Sequence, residues 1–245
     1  MSLTGKVALV TGGSRGIGAA TAVLLAKQGA DVAITYSASP AGAEKVASEI
    51  RALGRKAEVF QVDLAQRAQL TGLLAKVAAK MGRLDILVNN AGVFHMAAIG
   101  EETPEAYDHA FAVNVTAPQE LMKQAADVLP DGGRIINVGS VLGSAVPMAQ
   151  LSSYGATKFA IHGLTRGAAR DLGAKGILVN AVQPGLINTD MNPESSPFAE
   201  VMIAPLIVKR YGRAEEVAAA IAFLAGPGAT YITGTTLNVD GGMLA

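Results

Sequence analysis

The chain predicts an α/β fold, a single parallel, doubly wound sheet of about seven strands with helices on both faces. Three observations carry this. Short apolar runs alternate along the chain with longer Ala/Leu-rich stretches of helical period. The short runs are continuously apolar rather than alternating, as in strands covered on both faces. The first of them leads into Thr11-Gly12-Gly13-Ser14-Arg15-Gly16-Ile17-Gly18, a glycine-rich turn placed between a strand and a helix.

The elements follow in order. Residues 6–11 read as a buried strand, and residues 17–28 as a helix stopped by Gly29. A strand at 31–35 precedes a helix at 41–53, which Gly54 ends. A strand at 57–62 precedes helical periodicity at 66–81, and a strand follows at 84–88. The helical stretch 104–129 is interrupted by Pro118 and so allows two pieces. Strands at 133–138 and 177–182 flank a long helix at 154–172. Residues 187–209 are irregular, with Pro193, Pro197 and Pro205. A helix at 214–225 and a strand at 235–239 close the chain. No linker, repeat or low-complexity tract divides residues 1–245, so one domain is expected. Right-handed crossovers would place its crevice at the carboxyl ends of the strands.

Composition narrows the function. The 20 Lys+Arg and 20 Asp+Glu cancel, which argues against a nucleic-acid partner. Half of the 245 residues are hydrophobic, which excludes general disorder. Charged residues are 16%, below the usual ~25%. The absence of cysteine excludes disulfides, thiolate nucleophiles and Cys-based zinc sites. The start of the chain is not expected to be a signal peptide, and no apolar stretch reaches the ~18 residues of a spanning helix. No membrane partner and a cytoplasmic location are therefore expected.

A nucleotide pyrophosphate needs close backbone approach and the N–H groups of a helix N-terminus. Gly12, Gly16 and Gly18 permit both, with Ser14, Arg15 and Ile17 between them, in a G-x-x-x-G-x-G spacing. Later segments carry further polar groups in order: Asn89-Asn90-Ala91-Gly92, Asn114, Ser140, Tyr154-Gly155-Ala156-Thr157-Lys158, Pro184-Gly185 and Val239-Asp240-Gly241-Gly242. Tyr154 and Lys158, four apart, share a helical face. Free tyrosine titrates near pH ~10, and an adjacent ammonium is expected to lower that value.

Taken together these motifs resemble the short-chain dehydrogenase/reductase family over essentially the whole chain. The resemblance implies a Rossmann-like fold and hydride transfer between a nicotinamide cofactor and a ketone or secondary alcohol. It implies that Tyr154 is the general acid/base, that Lys158 lowers its pKa and binds the ribose, and that Ser140 orients the substrate oxygen. Asn114 would support a proton relay with Lys158, and Ser144 is a lesser candidate beside Ser140. Asp63 and Leu64 follow the third strand, where relatives contact adenine; Asp63 also suits a cap for the helix near residue 66. Asn90, Ala91 and Gly92 would support the cleft. Pro184, Gly185, Ile187 and Thr189 would flank the nicotinamide. The second strand ends in Thr35-Tyr36-Ser37, with no carboxylate to hold ribose hydroxyls. Tyr36 lies where NAD-using relatives carry Asp, while Ser37, Ser39 and Arg15 suit a 2′-phosphate. NADP(H) is the expected cofactor.

Val93, Phe94, His95, Val146, Met148, Gln150, Leu186, Met191, Phe198 and Met202 are expected to wall a largely apolar substrate pocket. The segment 188–209 would act as its lid. A small ketone and a 3-oxoacyl thioester both suit such a pocket. His95, His109 and His162 have no metal spacing and read as packing or surface residues, His95 being best placed to touch substrate. The family implies a homo-oligomer, commonly a tetramer, paired through the long helices. A nucleotide-binding sensor on the same fold is the alternative to an enzyme.

Overall fold

A computed structural model describes residues 2–245. The chain runs β1 (Val7–Val10), α1 (Gly16–Lys27), β2 (Asp31–Tyr36), α2 (Pro40–Ala52), β3 (Ala57–Gln61), α3 (Arg67–Leu70), α4 (Leu73–Met81) and β4 (Ile86–Asn89). It continues through α5 (Pro104–Phe111), a π-helical turn (Ala112–Thr116), α6 (Ala117–Val128), β5 (Arg134–Val138), α7 (Ser152–Gly173) and β6 (Leu178–Pro184). Then come β7 (Ile187–Asn188), α8 (Ala199–Ile203), β8 (Gly212–Arg213), α9 (Ala214–Ala225) and β9 (Thr236–Val239).

Seven strands form one parallel sheet in the order β3-β2-β1-β4-β5-β6-β9. The order reverses between β1 and β4, so a crevice opens beyond their carboxyl ends. Successive strand residues serve opposite faces. Ala8 and Val10 of β1 join a core with α1, α2 and α9, while Val7 and Leu9 join a second core with α4, α6 and α7. This double burial is why the strands read as unbroken apolar runs.

Buried amides pin β4 and β5 to α7. Asn89 Nδ2 donates to Asn137 Oδ1 at 2.9 Å, and Asn137 Nδ2 donates to Thr165 Oγ1 of α7 at 2.9 Å. The chain therefore has a hydrogen-bonded ladder from β4 through β5 to α7, close to where α7 must present its side chains.

Three stretches depart from the expected elements. The helix expected at 66–81 breaks at Gly72, whose φ of 67° lies in the left-handed region that a side chain disfavours. The helix expected at 104–129 does divide near Pro118, but through a π turn. Pro118 has no N–H to give to the carbonyl of Asn114, and the wider i→i+5 pattern accommodates that loss. The segment expected to be irregular contains α8, and it is bracketed by the two-residue parallel pair β7–β8.

Candidate active site

The turn after β1 is built by hydrogen bonds from three strands. Thr11 Oγ1 accepts from the N–H groups of Asn90 and Ala91 at 3.0 and 3.1 Å. Asn90 Nδ2 donates to the carbonyls of Thr11 and Gly12 at 2.8 and 3.3 Å. Thr35 of β2 accepts from Gly12 N with its hydroxyl at 3.2 Å and from Gly13 N with its carbonyl at 3.0 Å. Gly18 lets α1 approach this turn, because a Cβ there would sit 2.3 Å from the Gly12 carbonyl oxygen and 2.5 Å from Asn90 Nδ2. The N-cap Arg15 makes no side-chain capping bond, and the first turn of α1 holds no acidic residue. That helix end is therefore electropositive and suited to an anionic ligand. A pyrophosphate fits this cradle.

The other residues expected at the cofactor lie at the carboxyl ends of β1, β2, β3 and β6 and in the segments that follow them. A Cβ on Gly42, in the first turn of α2, would lie 2.7 Å from Ser39 Oγ and 3.0 Å from the Ser14 carbonyl, so Ser14 and Ser39 converge. Tyr36 ends β2, and the Ser37 carbonyl accepts from Gln61 Nε2 at 3.2 Å. Arg15 is exposed and lies 3.7 Å from Asp190. A Cβ on Gly16 would lie 3.4 Å from Thr189 Cγ2, so the segment after β7 crosses the start of α1. Leu64 and Ile187 bury their side chains in the cores. Gly185 packs on the C-terminal turn, where its Cβ would lie 2.8 Å from Asp240 Cα; the preceding Pro184 ends β6. Asp63 does not cap the helix near residue 66. Its Oδ1 accepts from Ala65 N at 3.0 Å in a tight local turn, and the N-cap Gln66 has no side-chain bond.

Asn114, Ser140, Tyr154 and Lys158 come together at the carboxyl ends of β4 and β5. The π turn aims Asn114 inward, where Oδ1 accepts from Val93 N at 2.9 Å. Its Nδ2 donates to the Val93 carbonyl at 2.9 Å and to Thr157 Oγ1 at 3.2 Å. Gly92 marks the meeting point, because a Cβ on it would lie 3.3 Å from Asn114 Oδ1 and 3.6 Å from Lys158 Nζ. Lys158 is buried, and its Nζ donates to the Val138 carbonyl at 3.3 Å. Its ammonium lies 5.5 Å from the centre of the Tyr154 ring. The Ser140 hydroxyl accepts from Leu142 N at 3.2 Å and faces the Tyr154 phenol, whose rise in pKa it opposes, and Phe94 meets the Tyr154 ring edge-on at 4.9 Å.

Electrostatics here corrects one expectation. Burial pushes the Tyr154 phenol up to about 12, and the Ser140 hydrogen bond only partly offsets it. Burial also lowers Lys158 to about 8. In the chain alone desolvation outweighs the expected pull of the ammonium on the phenol, and both groups are driven toward neutrality.

Of the residues expected to wall a substrate pocket, Phe94, Val146, Met148, Met191 and Phe198 are exposed, and Phe94 lies against Tyr154. Leu186 instead belongs to a small core with Ala199, Leu206 and Tyr211, and Met202 packs against it. These side chains support the segment from beneath, because its helix α8 needs an apolar footing. Ser144 pairs with Gln183, which donates to its hydroxyl at 2.9 Å. His162 is buried against Gly139 and Gly143, His109 is exposed, and His95 bonds Glu102. Among the described residues no group of three or more His, Cys, Asp or Glu is arranged to hold a metal ion, and no helix is long and apolar enough to cross a membrane.

The roles of Thr11, Thr35, Gln183, Asp190 and Glu102 escape sequence reasoning. Thr11 and Thr35 stand inside quoted segments but act by hydrogen bonds to other strands, and Gln183, Asp190 and Glu102 stand in no motif. Only the position of Thr11 and Thr35 at strand ends signals them.

Comparison with known proteins agrees with this geometry. A family model described as enoyl-(acyl carrier protein) reductase matches residues 12–244. A short-chain dehydrogenase from Burkholderia cenocepacia J2315, solved in complex with NADP, is 47% identical, with a TM-score of 0.98 over 100% of both chains. A cyclic-di-GMP-binding biofilm dispersal mediator protein of Escherichia coli K12 is 41% identical over 98% of each chain. A 3-oxoacyl-[acyl-carrier-protein] reductase of Synechocystis is 40% identical over 99% of this chain and 98% of its own length.

Proposed function

The chain belongs to the short-chain dehydrogenase/reductase family, and on that premise we propose that it is an NADP(H)-dependent oxidoreductase acting on a ketone or the corresponding secondary alcohol. The observation that carries this is the convergence of Ser140, Tyr154, Lys158 and Asn114 beside an uncapped helix N-terminus.

The nicotinamide cofactor, when bound, supplies or accepts the hydride and adds a positive charge in its oxidised form. The residues do the rest. Gly12 to Gly18 hold the pyrophosphate at the start of α1. Arg15, Ser37 and Ser39 hold the 2′-phosphate, and Tyr36 offers no carboxylate to repel it. Asp63 and Leu64 border the adenine; Asn90, Ala91 and Gly92 with Pro184, Gly185, Ile187 and Thr189 border the nicotinamide end. Ser140 Oγ hydrogen-bonds the substrate oxygen and fixes it within reach of the phenol. Tyr154 Oη donates its proton to that oxygen during reduction and accepts the alcohol proton in reverse. Lys158 stabilises the resulting phenolate and hydrogen-bonds the ribose. Asn114 Oδ1 keeps a second lone pair beside Lys158 for a water that returns the proton.

Residues 188–209 serve as the substrate lid. Their base is firm, because Arg210 and Glu216 are paired at 2.7 Å and the N–H groups of Ile207 and Val208 donate to the Gly241 carbonyl. The apolar mouth suits a ketone with an apolar substituent, and the Synechocystis relative supports 3-oxoacyl thioesters as a substrate class. We place the protein in the cytoplasm, consistent with its lack of cysteine. A homotetramer fits the exposed Tyr107 and Phe159 on the outer helices.

The Escherichia coli relative supports a second reading, a nucleotide-dependent regulator without turnover. A complete acid set has no use in such a protein. NADPH oxidation across a panel of ketones and 3-oxoacyl thioesters separates the two. Turnover supports the enzyme, and tight NADPH binding with no turnover on any of them supports the regulator.

A further inference from the structure

Glu102 stands where an apolar side chain is usual. It precedes Thr103, the N-cap of α5, a position that commonly packs on the fourth helical residue, here Tyr107. Its side chain is 8% exposed overall, and each carboxylate oxygen has a donor. His95 Nε2 lies 2.6 Å from Oε1, and Ser153 Oγ donates to Oε2. These two bonds hold the carboxyl below the usual carboxylate range. A buried carboxylate is costly unless it is hydrogen-bonded in this way.

Both partners are chain neighbours of cleft residues. Ser153 precedes Tyr154, and His95 follows Phe94, whose ring rests on that same tyrosine. A second stitch runs alongside, from Ala97 N to the Gln150 carbonyl at 3.0 Å, with Gln150 held at a φ of 67°. The cluster is not a hydrolytic triad. The serine hydroxyl donates to the carboxylate rather than to the imidazole, so no base withdraws its proton.

We propose that Glu102 is a positioning residue that clamps the 93–103 loop to the first turn of α7 and thereby sets Phe94 and Tyr154 relative to each other. The claim rests on the reading of Tyr154 as the acid. Small displacements at a reacting centre cost up to ~100-fold in rate, so the clamp acts on turnover without touching substrate or cofactor.

The test compares Glu102→Leu with Glu102→Gln. Leucine restores an apolar packing residue but removes both bonds. Glutamine keeps an oxygen for Ser153 and a nitrogen for the imidazole. Glu102→Leu is expected to lower kcat about 10-fold or more, on the scale of such misplacement, with the Kd for NADPH unchanged. Glu102→Gln is expected to recover most of that loss. Hydrogen exchange of the 93–103 amides should quicken in the leucine variant and return toward the wild-type rate in the glutamine variant. Ser153→Ala carries the same comparison if the leucine variant does not fold. Wild-type kcat in Glu102→Leu, or a glutamine variant as impaired as the leucine one, overturns the proposal. A wild type without turnover defeats the enzymatic reading alone, and the exchange comparison then decides the clamp, which falls if exchange is unchanged.

Discussion

Lys158 is where burial and chemistry are most directly opposed. Its amine is lowered to about 8 because the folded chain desolvates it. The unfolded chain binds more protons between pH 8 and the ordinary lysine value, so this residue makes stability rise with pH across that window. Lys158→Met should abolish turnover yet stabilise the cofactor-free chain at pH 7 by up to ~3 kcal/mol, the equivalent of the shift. That advantage should fade between pH 8 and 10.5, as read by denaturant midpoints at several pH values. Tyr154 has the opposite sign: its phenol is raised to about 12, so its contribution is lost as pH rises from 10 to 12. Tyr36 governs cofactor choice in this account. Tyr36→Asp should move the ratio of kcat/KM values toward NAD by about 10-fold or more, since a carboxylate repels the 2′-phosphate and holds the ribose hydroxyls; an unchanged ratio counts against the assignment. The residues that carry these predictions were legible because motif chemistry names them. Glu102 and Asp190 were not, because Ser153 and Arg15, which they meet, lie far along the chain and only folding brings them near.

The elements show which breaks in a pattern matter. Gly72 stands between α3 and α4 as the N-cap of α4, with open space around its missing Cβ. Gly72→Ala should therefore destabilise the chain through backbone strain alone, by ~1–2 kcal/mol, with kcat unchanged; a Tm equal to the wild type would show that the break adapts without strain. The periodicity of residues 66–81 hid this break, because the apolar spacing stays in phase across it. The interruption at Pro118 was visible, but not its form. Only the π turn explains how Asn114 comes to face Lys158. The lid was legible as irregular chain, and its prolines foretold no long helix. The core under it, Leu186 with Leu206 and Tyr211, depends on contacts across 25 residues that local pattern does not reveal.

The whole molecule joins a sheet that buries both faces to a candidate site at the carboxyl ends of its central strands. The continuous apolar strands made that architecture readable, and the strand order placed the crevice between β1 and β4. Assembly was not readable in the same way, since a helix face waiting for a partner and a merely apolar face look alike in sequence. On the proposed homotetramer, Phe159→Arg, on the exposed face of α7, should give smaller species than the wild type in light scattering while leaving the Tm of the protomer within a few degrees; an unchanged mass argues against an interface through this face. The central claim concerns the acid. Tyr154→Phe removes one hydroxyl from a packed ring, so NADPH should bind within about 3-fold of the wild type while kcat for ketone reduction falls by at least ~100-fold. Wild-type turnover in Tyr154→Phe, with NADPH bound normally, would contradict the account.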